Sequence, residues 1–202
     1  MAAFRGTFEF AEYVTPSTGG PPIQSGPPAI SAGTGSSSGA VGGGTLFSFL
    51  PSDNEPPATN YATFDTRNGH PVLDFDTTTQ ETAIFTGVLP RNYAGGGITI
   101  YVHAMATTAT TGTMGWDVSF ERMSDAATDL DADSFATAQT IAAATVPGTS
   151  GVVLVLSVAV SNGASIDSIA VGESFRLRLR RDVANDTAAG DVEFLALEGK
   201  ET

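Results

Sequence analysis

The chain has 202 residues, of which 41% are hydrophobic and 8% aromatic, enough for one globular core but hardly for two. Its 22 acidic residues outnumber nine basic ones, and the formal net charge of -13 disfavours nucleic acid and membrane surfaces as partners, because both are anionic. The absence of cysteine excludes disulfides and thiolate chemistry, and with only two histidines we expect no enzyme activity, no metal and no cofactor.

The chain begins with an aromatic-rich piece followed by a low-complexity tract. Phe4, Phe8 and Phe10 lie in this piece, which alternates over residues 7–10 and predicts a short strand. Residues 13–52 carry no charge and are dominated by glycine, proline, serine and threonine. Alone, this composition is typical of a flexible linker. The first residues lack the regions of a secretory signal peptide, and we expect none.

We interpret residues 1–60 as an N-terminal strand followed by an extended arm, uncharged over residues 13–52, that other chains of an assembly hold in place. Its lack of charge lowers the cost of desolvation, and extended backbone is able to pair with neighbouring sheet edges. An arm laid over its own body is the alternative. Phe47 and Phe49 lie two residues apart, so an extended segment places both on one side. With the three earlier phenylalanines they could anchor the arm in a pocket, and packing on the body's own core is an equally good interpretation.

Residues 61–202 are predicted to form a body of short strands. Asn68–Gly69 is suited to a type I′ hairpin turn, because both residues tolerate positive φ. The clearest alternation of apolar and polar residues is WDVSFE at 116–121. The predicted strands are Tyr61–Asp65, His70–Asp76, Glu81–Leu89, Ile98–Met105, Trp116–Glu121, Phe135–Val146, Val152–Val160, Phe175–Arg181 and Asp191–Glu198.

Many short strands without helical crossovers predict an all-β protein built as an antiparallel sandwich. About eight strands in residues 61–202 favour a jelly-roll-like sandwich, in which two four-stranded sheets enclose one core. A different Greek-key sandwich would leave the same periodicity. We therefore expect a jelly-roll-like β-sandwich with an extended Gly/Pro/Ser-rich arm at its N-terminal end.

The last-but-one predicted strand alternates apolar and basic residues. Three arginines share its polar face about 7 Å apart, and they repel one another unless carboxylates lie on neighbouring strands. The acidic residues of the 116–121 strand are the predicted partners, either within the subunit or from the next protomer. Binding of an anionic glycan or nucleic acid is the alternative, which the net charge disfavours. The predicted structural charge ladder consists of Arg176, Arg178, Arg180, Asp117 and Glu121.

Three carboxylates, at Asp129, Asp131 and Asp133, have the spacing of a calcium-binding loop. The EF-hand form also needs a glycine at loop position six and a glutamate at position twelve, where this chain has Ser134 and Thr140. We therefore favour a solvated acidic loop over an ion site.

Five runs of the body carry a family resemblance: FDTRNGHPVLDF (64–75), ETAIFTGVLPRNYAGGGITIYVHAM (81–105), GWDVSFERM (115–123), DADSFATAQT (131–140) and SFRLRLRRDVANDT (174–187). They are similar to a group of tailed-bacteriophage virion proteins with jelly-roll decoration or fibre-head domains. The similarity spans residues 61–202 and does not include the arm. Jelly rolls with such strands also occur in carbohydrate-binding modules.

The resemblance implies a structural protein of the virion. Proteins of this group are usually trimers on the outside of the capsid or at a fibre tip, and they carry no catalytic motif, so no site residue is carried over. We expect a homotrimeric capsid decoration (cement) protein at the capsid surface, with the phage major capsid protein as its partner. The alternative is a head-fibre or tail-fibre tip domain that binds host surface glycan, with Tyr61, Tyr93 and Tyr101 as candidates for stacking on sugars.

Overall fold

The structure is a computed structural model that describes residues 44–202. The expectations for Phe4, Phe8 and Phe10, and for the rest of the arm up to residue 43, lie outside the described residues. Within the described range, no helix is long and apolar enough to cross a membrane.

Residues 44–202 form ten strands and two short 3-10 turns, the latter at Pro51–Asp53 and Ala164–Ile166. All nine predicted strands are present, with bounds that differ by a few residues. The strands are β1 (Thr45–Phe49), β2 (Thr63–Arg67), β3 (His70–Phe75), β4 (Thr82–Val88), β5 (Ile98–Ala106), β6 (Thr113–Met123), β7 (Gln139–Thr145), β8 (Leu154–Val160), β9 (Ser174–Arg181) and β10 (Val192–Glu201).

The strands form two antiparallel sheets. Sheet A has the order β2-β3-β10-β5-β8, and β1 pairs with the part of β10 that β3 leaves free. Sheet B has the order β4-β9-β6-β7. The eight strands from β3 to β10 therefore make two four-stranded sheets, β3-β10-β5-β8 and β4-β9-β6-β7, which is the strand order of a jelly roll. The predicted fold class, an antiparallel jelly-roll-like β-sandwich, is confirmed.

The core lies between the two sheets because alternate residues of each strand point inward. In β9, for example, every second side chain is buried from Phe175 onward. The largest aromatic side chains that are fully buried come from both sheets, and they are Phe75, Phe85, Trp116, Phe120, Phe175 and Phe194.

A tight turn joins β2 to β3. Asn68 has a φ of 48° and Gly69 a φ of 80°, the positive values at both central positions that define a type I′ hairpin. The turn predicted from this dipeptide is confirmed, and it fixes the register in which Arg67 lies opposite His70.

Residues 44–60, which the sequence assigned to the arm, take part in the sandwich. β1 pairs with β10, and Pro51 in the following 3-10 turn is buried. The described body therefore includes a strand that lies well before residue 61. The reason is the pair of phenylalanines in β1, which face the core.

Candidate functional site

The three ladder arginines face outward from sheet B, each opposite a polar residue of β6. Arg180 donates two hydrogen bonds to the carboxylate of Asp117, at 2.8 and 3.1 Å. Arg176 forms an ion pair with Glu121. The structure thus brings the predicted arginines and carboxylates together at both ends of the ladder, within one subunit.

The middle position of the ladder has a different partner. Arg178 lies opposite Ser119, and its Nε donates to the Ser119 hydroxyl at 2.9 Å. Within residues 44–202, no carboxylate forms a salt bridge with Arg178. Its guanidinium carbon lies 4.5 Å from the centre of the Phe135 ring. Burial, and secondarily the charge of Arg180, lowers the pKa of Arg178 below its usual value.

A groove of about 350 Å³ opens beside Arg178 on the outer surface of sheet B. It combines a guanidinium group, an aromatic ring and neutral side chains that donate and accept hydrogen bonds. Such a lining suits a small polar ligand with a negative charge. The lining residues include Thr59, Asn60, Gln80, Phe135, Arg178 and Arg180.

The two phenylalanines at the end of the predicted assembly arm pack in the core (Phe49) and against it (Phe47). Phe49 is only 6% exposed and stacks on Phe85, with ring centres 5.2 Å apart and planes 10° from parallel. Phe47 packs on Phe175 at 5.0 Å, and its ring lies against Gly199 of β10, where any side chain would clash with it. Of the two interpretations left open by the sequence, the structure shows packing on the body's own core for both residues.

The three tyrosines considered for sugar stacking do not form one platform. Tyr93 is 5% exposed and its hydroxyl donates to the carbonyl of Gly96, so its ring is not available to a ligand. Tyr61 is exposed just before β2, whereas Tyr101 lies half-buried on β5. β3 and β10 separate β2 from β5 in sheet A.

Carboxylates cluster around Asp74 on sheet A. Asp74 lies directly opposite Glu193 of β10, and like charges in this position repel. Glu193 is neutralised by Arg67, whose guanidinium is 2.6 Å away. Burial, followed by the charges of Glu193 and Asp65, raises the pKa of Asp74 from 3.8 to about 6. The surroundings of Asp74 thus destabilise its ionised form more than that of the other carboxylates in this cluster.

Replacing Asp74 by asparagine should stabilise the protein at pH 7 by about 1 to 2 kcal/mol, a value reduced from the full pKa shift to allow for solvent screening. Because the pKa is higher in the folded state, the folded protein binds the extra proton between about pH 4 and pH 6, and this group's contribution to stability falls as pH rises through that window. In urea unfolding, Asp74→Asn should therefore raise the free energy of unfolding at pH 7 and leave it nearly unchanged at pH 4. The exposed Asp131→Asn is the matched control, and an equal effect of Asp74→Asn at both pH values would contradict the assignment.

The acidic loop at 129–133 forms a turn of its own. The carbonyl oxygen of Asp129 accepts hydrogen bonds from the N–H groups of Ala132 and Asp133, both at 3.0 Å, and its carboxylate accepts one from the N–H of Asp131. All three carboxylate residues are exposed. Among the described residues, no group of three or more acidic or histidine side chains is placed to hold a metal ion.

One long stretch of the chain at the side of the sandwich contains no charged residue. Residues 134–166, here called the uncharged edge, contain no acidic or basic residue although the whole chain has a net charge of -13. They include β7 and β8, which are the end strands of sheets B and A and lie beside each other. In the part of the chain that the structure describes, neither strand pairs with another strand on its outer side. Val152, Val153 and Val155 are exposed there.

One buried ionic site was not predicted from the sequence. Arg181 follows the ladder, but alternation along β9 places it on the inward face, where it is fully buried. Its guanidinium pairs with Asp186 in the connection to β10. The signal was present in the sequence, since Arg181 breaks the period of the other three arginines.

Comparisons with known proteins find similarity only at the level of fold. No family model matches the chain, and no curated protein matches it. A Clostridium thermocellum xylanase 10B fragment, with a carbohydrate-binding module and a catalytic module in complex with xylohexaose, is 14% identical with a TM-score of 0.41. The match covers 78% of this chain, which spans only 28% of the xylanase chain.

Two further structures are single carbohydrate-binding modules. The family 30 module of a C. thermocellum cellulosomal cellulase is 12% identical, with a TM-score of 0.38 and coverage of 79% of this chain and 94% of the module. The mannan-recognising module TmCBM27 is 9% identical, with a TM-score of 0.33 and coverage of 79% and 88%. At these identities and TM-scores, the likeness does not bear on ligand or partner.

Proposed function

We propose that the protein is a structural component of a bacteriophage virion, a decoration or cement protein that binds the outside of the capsid and stabilises it. One observation carries the proposal: the uncharged arm leads directly into β1, which pairs with β10 and places Phe49 in the core. A force that pulls on the arm therefore acts on β1, a strand that is paired with β10 and anchored in the core by Phe49.

The partner in this proposal is the phage major capsid protein. The arm has few side chains able to form specific contacts, so attachment would depend on backbone pairing and on burial of uncharged surface. Each contact is weak, but many subunits on one shell multiply it. No turnover is involved.

We further propose that the body self-associates, as a homotrimer, through the uncharged edge. Two copies that each carry a charge of -13 repel where their acidic surfaces meet, and the uncharged edge is the surface that avoids this repulsion. Its end strands also offer unpaired backbone groups and the exposed side chain of Val155. Light scattering that shows a monomer of the full chain at micromolar concentration would contradict this proposal.

Deletion of Met1 to Gly44 should abolish attachment to the shell. We expect the truncated protein to bind assembled phage heads about a hundredfold more weakly than the full chain, or not at all, in a co-sedimentation assay. The truncation ends before β1 and leaves every described strand in place. An unchanged thermal unfolding midpoint serves as the control for folding, and co-sedimentation at wild-type occupancy would overturn the attachment proposal.

A second candidate function is recognition of host surface glycan by a head-fibre or tail-fibre tip domain. The observation that favours it is the groove beside Arg178, which combines Phe135 with the neutral polar side chains of Asn60 and Gln80. Neutral amides and hydroxyls are groups that hydrogen-bond to sugar hydroxyls. Binding of soluble oligosaccharides to the full chain tests this candidate separately from attachment to the capsid.

A further inference from the structure

We propose that the groove on the outer surface of sheet B binds the carboxylate of an acidic sugar, with the guanidinium of Arg178 as the group that pairs with it. The proposal depends on one juxtaposition. Arg178 has no carboxylate partner within residues 44–202, and it lines a groove that contains no acidic side chain and whose other charged group, Arg180, is paired with Asp117.

Arg178 has an unused capacity for hydrogen bonding. A guanidinium carries five N–H donors, and within the described residues only the Nε–H of Arg178 has a partner, the hydroxyl of Ser119. The neighbouring Arg180, in contrast, places Nε and a terminal nitrogen on the two oxygens of Asp117. The terminal nitrogens of Arg178 are therefore the ones left to form a bidentate pair with an external anion.

The surroundings of Arg178 strengthen such a pair. The ring of Phe135 lies 4.5 Å from the guanidinium carbon and shields one side of the group from water. Arg178 is half-buried, and this burial is the main cause of its lowered pKa. An anion that reaches this position relieves a desolvation cost that is already present in the free protein.

The remaining lining favours a sugar acid over an acidic peptide. Thr59, Asn60, Gln80 and Thr82 contribute hydroxyl and amide groups, which suit the many hydroxyls of a sugar. A volume of about 350 Å³ is at the lower end of small-ligand sites, which suits a ligand of one or two sugar rings.

The local charge explains why a protein of charge -13 would bind an anion at this place. Along the ladder, Arg176 and Arg180 are neutralised by Glu121 and Asp117, and Arg178 is left over as a single positive charge. We therefore expect the groove to take one carboxylate and not a polyanion, with affinity that weakens as ionic strength rises. This inference rests on the second candidate function, glycan recognition, and is independent of attachment to the capsid.

The test measures binding of the full-length protein to tri-galacturonate and to its methyl ester by isothermal titration calorimetry. The two probes share one backbone and differ only in the blocked carboxylates. We expect tri-galacturonate to bind more tightly than the ester. Arg178→Gln should weaken its binding by about tenfold to a hundredfold, the range for a lost charge-assisted hydrogen-bonding group. Arg178→Lys should recover only part of the affinity, because it keeps the charge but not the planar fork.

The control variant is Arg91→Gln, which removes an exposed arginine that forms no salt bridge among residues 44–202. It should bind tri-galacturonate like the wild type, and unfolding midpoints should show that both variants are folded. Equal binding of acid and ester, or no effect of Arg178→Gln, would overturn the carboxylate site while leaving glycan recognition standing. Binding of neither sugar would overturn both, and binding of triglutamate alone would identify the groove as a protein-docking contact and overturn the proposal.

Discussion

Replacing Arg181 by methionine should lower the free energy of unfolding by about 3 to 5 kcal/mol, the usual loss when one partner of a buried ion pair is removed. Arg181 is fully buried, and its guanidinium makes five hydrogen bonds, one for each N–H. Two reach the carboxylate of Asp186, at 2.8 and 3.1 Å. The other three reach backbone carbonyls of Phe75, Ala188 and Gly190. Methionine fills similar space but donates none of these five hydrogen bonds.

A double-mutant cycle separates the lost charge pair from lost packing. In an Asp186→Asn background, Arg181→Met should be less destabilising than in the wild type, because no uncompensated carboxylate remains buried. Urea unfolding of the four proteins measures the difference. The exposed Arg91→Met is the control and should stay within about 0.5 kcal/mol of the wild type. A loss no larger than that of Arg91→Met would show that Arg181 does not hold the β9–β10 connection.

The same residue shows where sequence-based prediction stops. Alternation with period two predicts correctly that three arginines of β9 face outward, and it equally places Arg181 on the inward face. What periodicity does not supply is the partner of an inward charge. Three of the acceptors of Arg181 are backbone carbonyls, which carry no sequence signal, and one of these belongs to β3, 106 residues away.

The strands and their turns could be predicted because they depend on local chemistry. Positive φ at Asn68 and Gly69 follows from the residue types, and the apolar alternation of the strands follows from a half-buried sheet. The strand order does not follow from local chemistry, because it depends on which distant strands share a core. The groove beside Arg178 could not be predicted from the sequence either, because Asn60, Gln80 and Phe135 come from three separate connections that meet only in the folded sandwich.

β1 was assigned to the arm for a related reason. Its flanking sequence has the composition of the arm, and only the contacts of its two phenylalanines assign it to the body. Gly199 of β10 completes this arrangement, because the missing side chain leaves room for the ring of Phe47. β1 is thus anchored in the core through its phenylalanines, which gives the second large expected effect.

Replacing Phe49 by alanine should destabilise the body by about 3 to 5 kcal/mol, as for other buried phenylalanines. The change removes a ring that stacks on Phe85 and contacts Phe175, and it leaves a cavity between the two sheets. Because Phe49 lies in β1, which pairs with one strand only among residues 44–202, the loss should be greatest locally, and the amides of β1 should exchange with solvent faster than those of β9 in hydrogen-exchange measurements.

Phe64 provides the matched control for this variant. It is also a strand phenylalanine of sheet A, but its side chain is 54% exposed, and Phe64→Ala should therefore change the urea midpoint far less than Phe49→Ala. In the co-sedimentation assay, mild heating should detach the Phe49→Ala protein from the shell at temperatures at which the Phe64→Ala protein stays bound. The reason is that a loosened β1 no longer connects the arm firmly to the core. Equal stability of the two variants would mean that β1 contributes little to the packing of the sandwich. The arm would then lack the firm attachment to the body that a capsid-binding role requires.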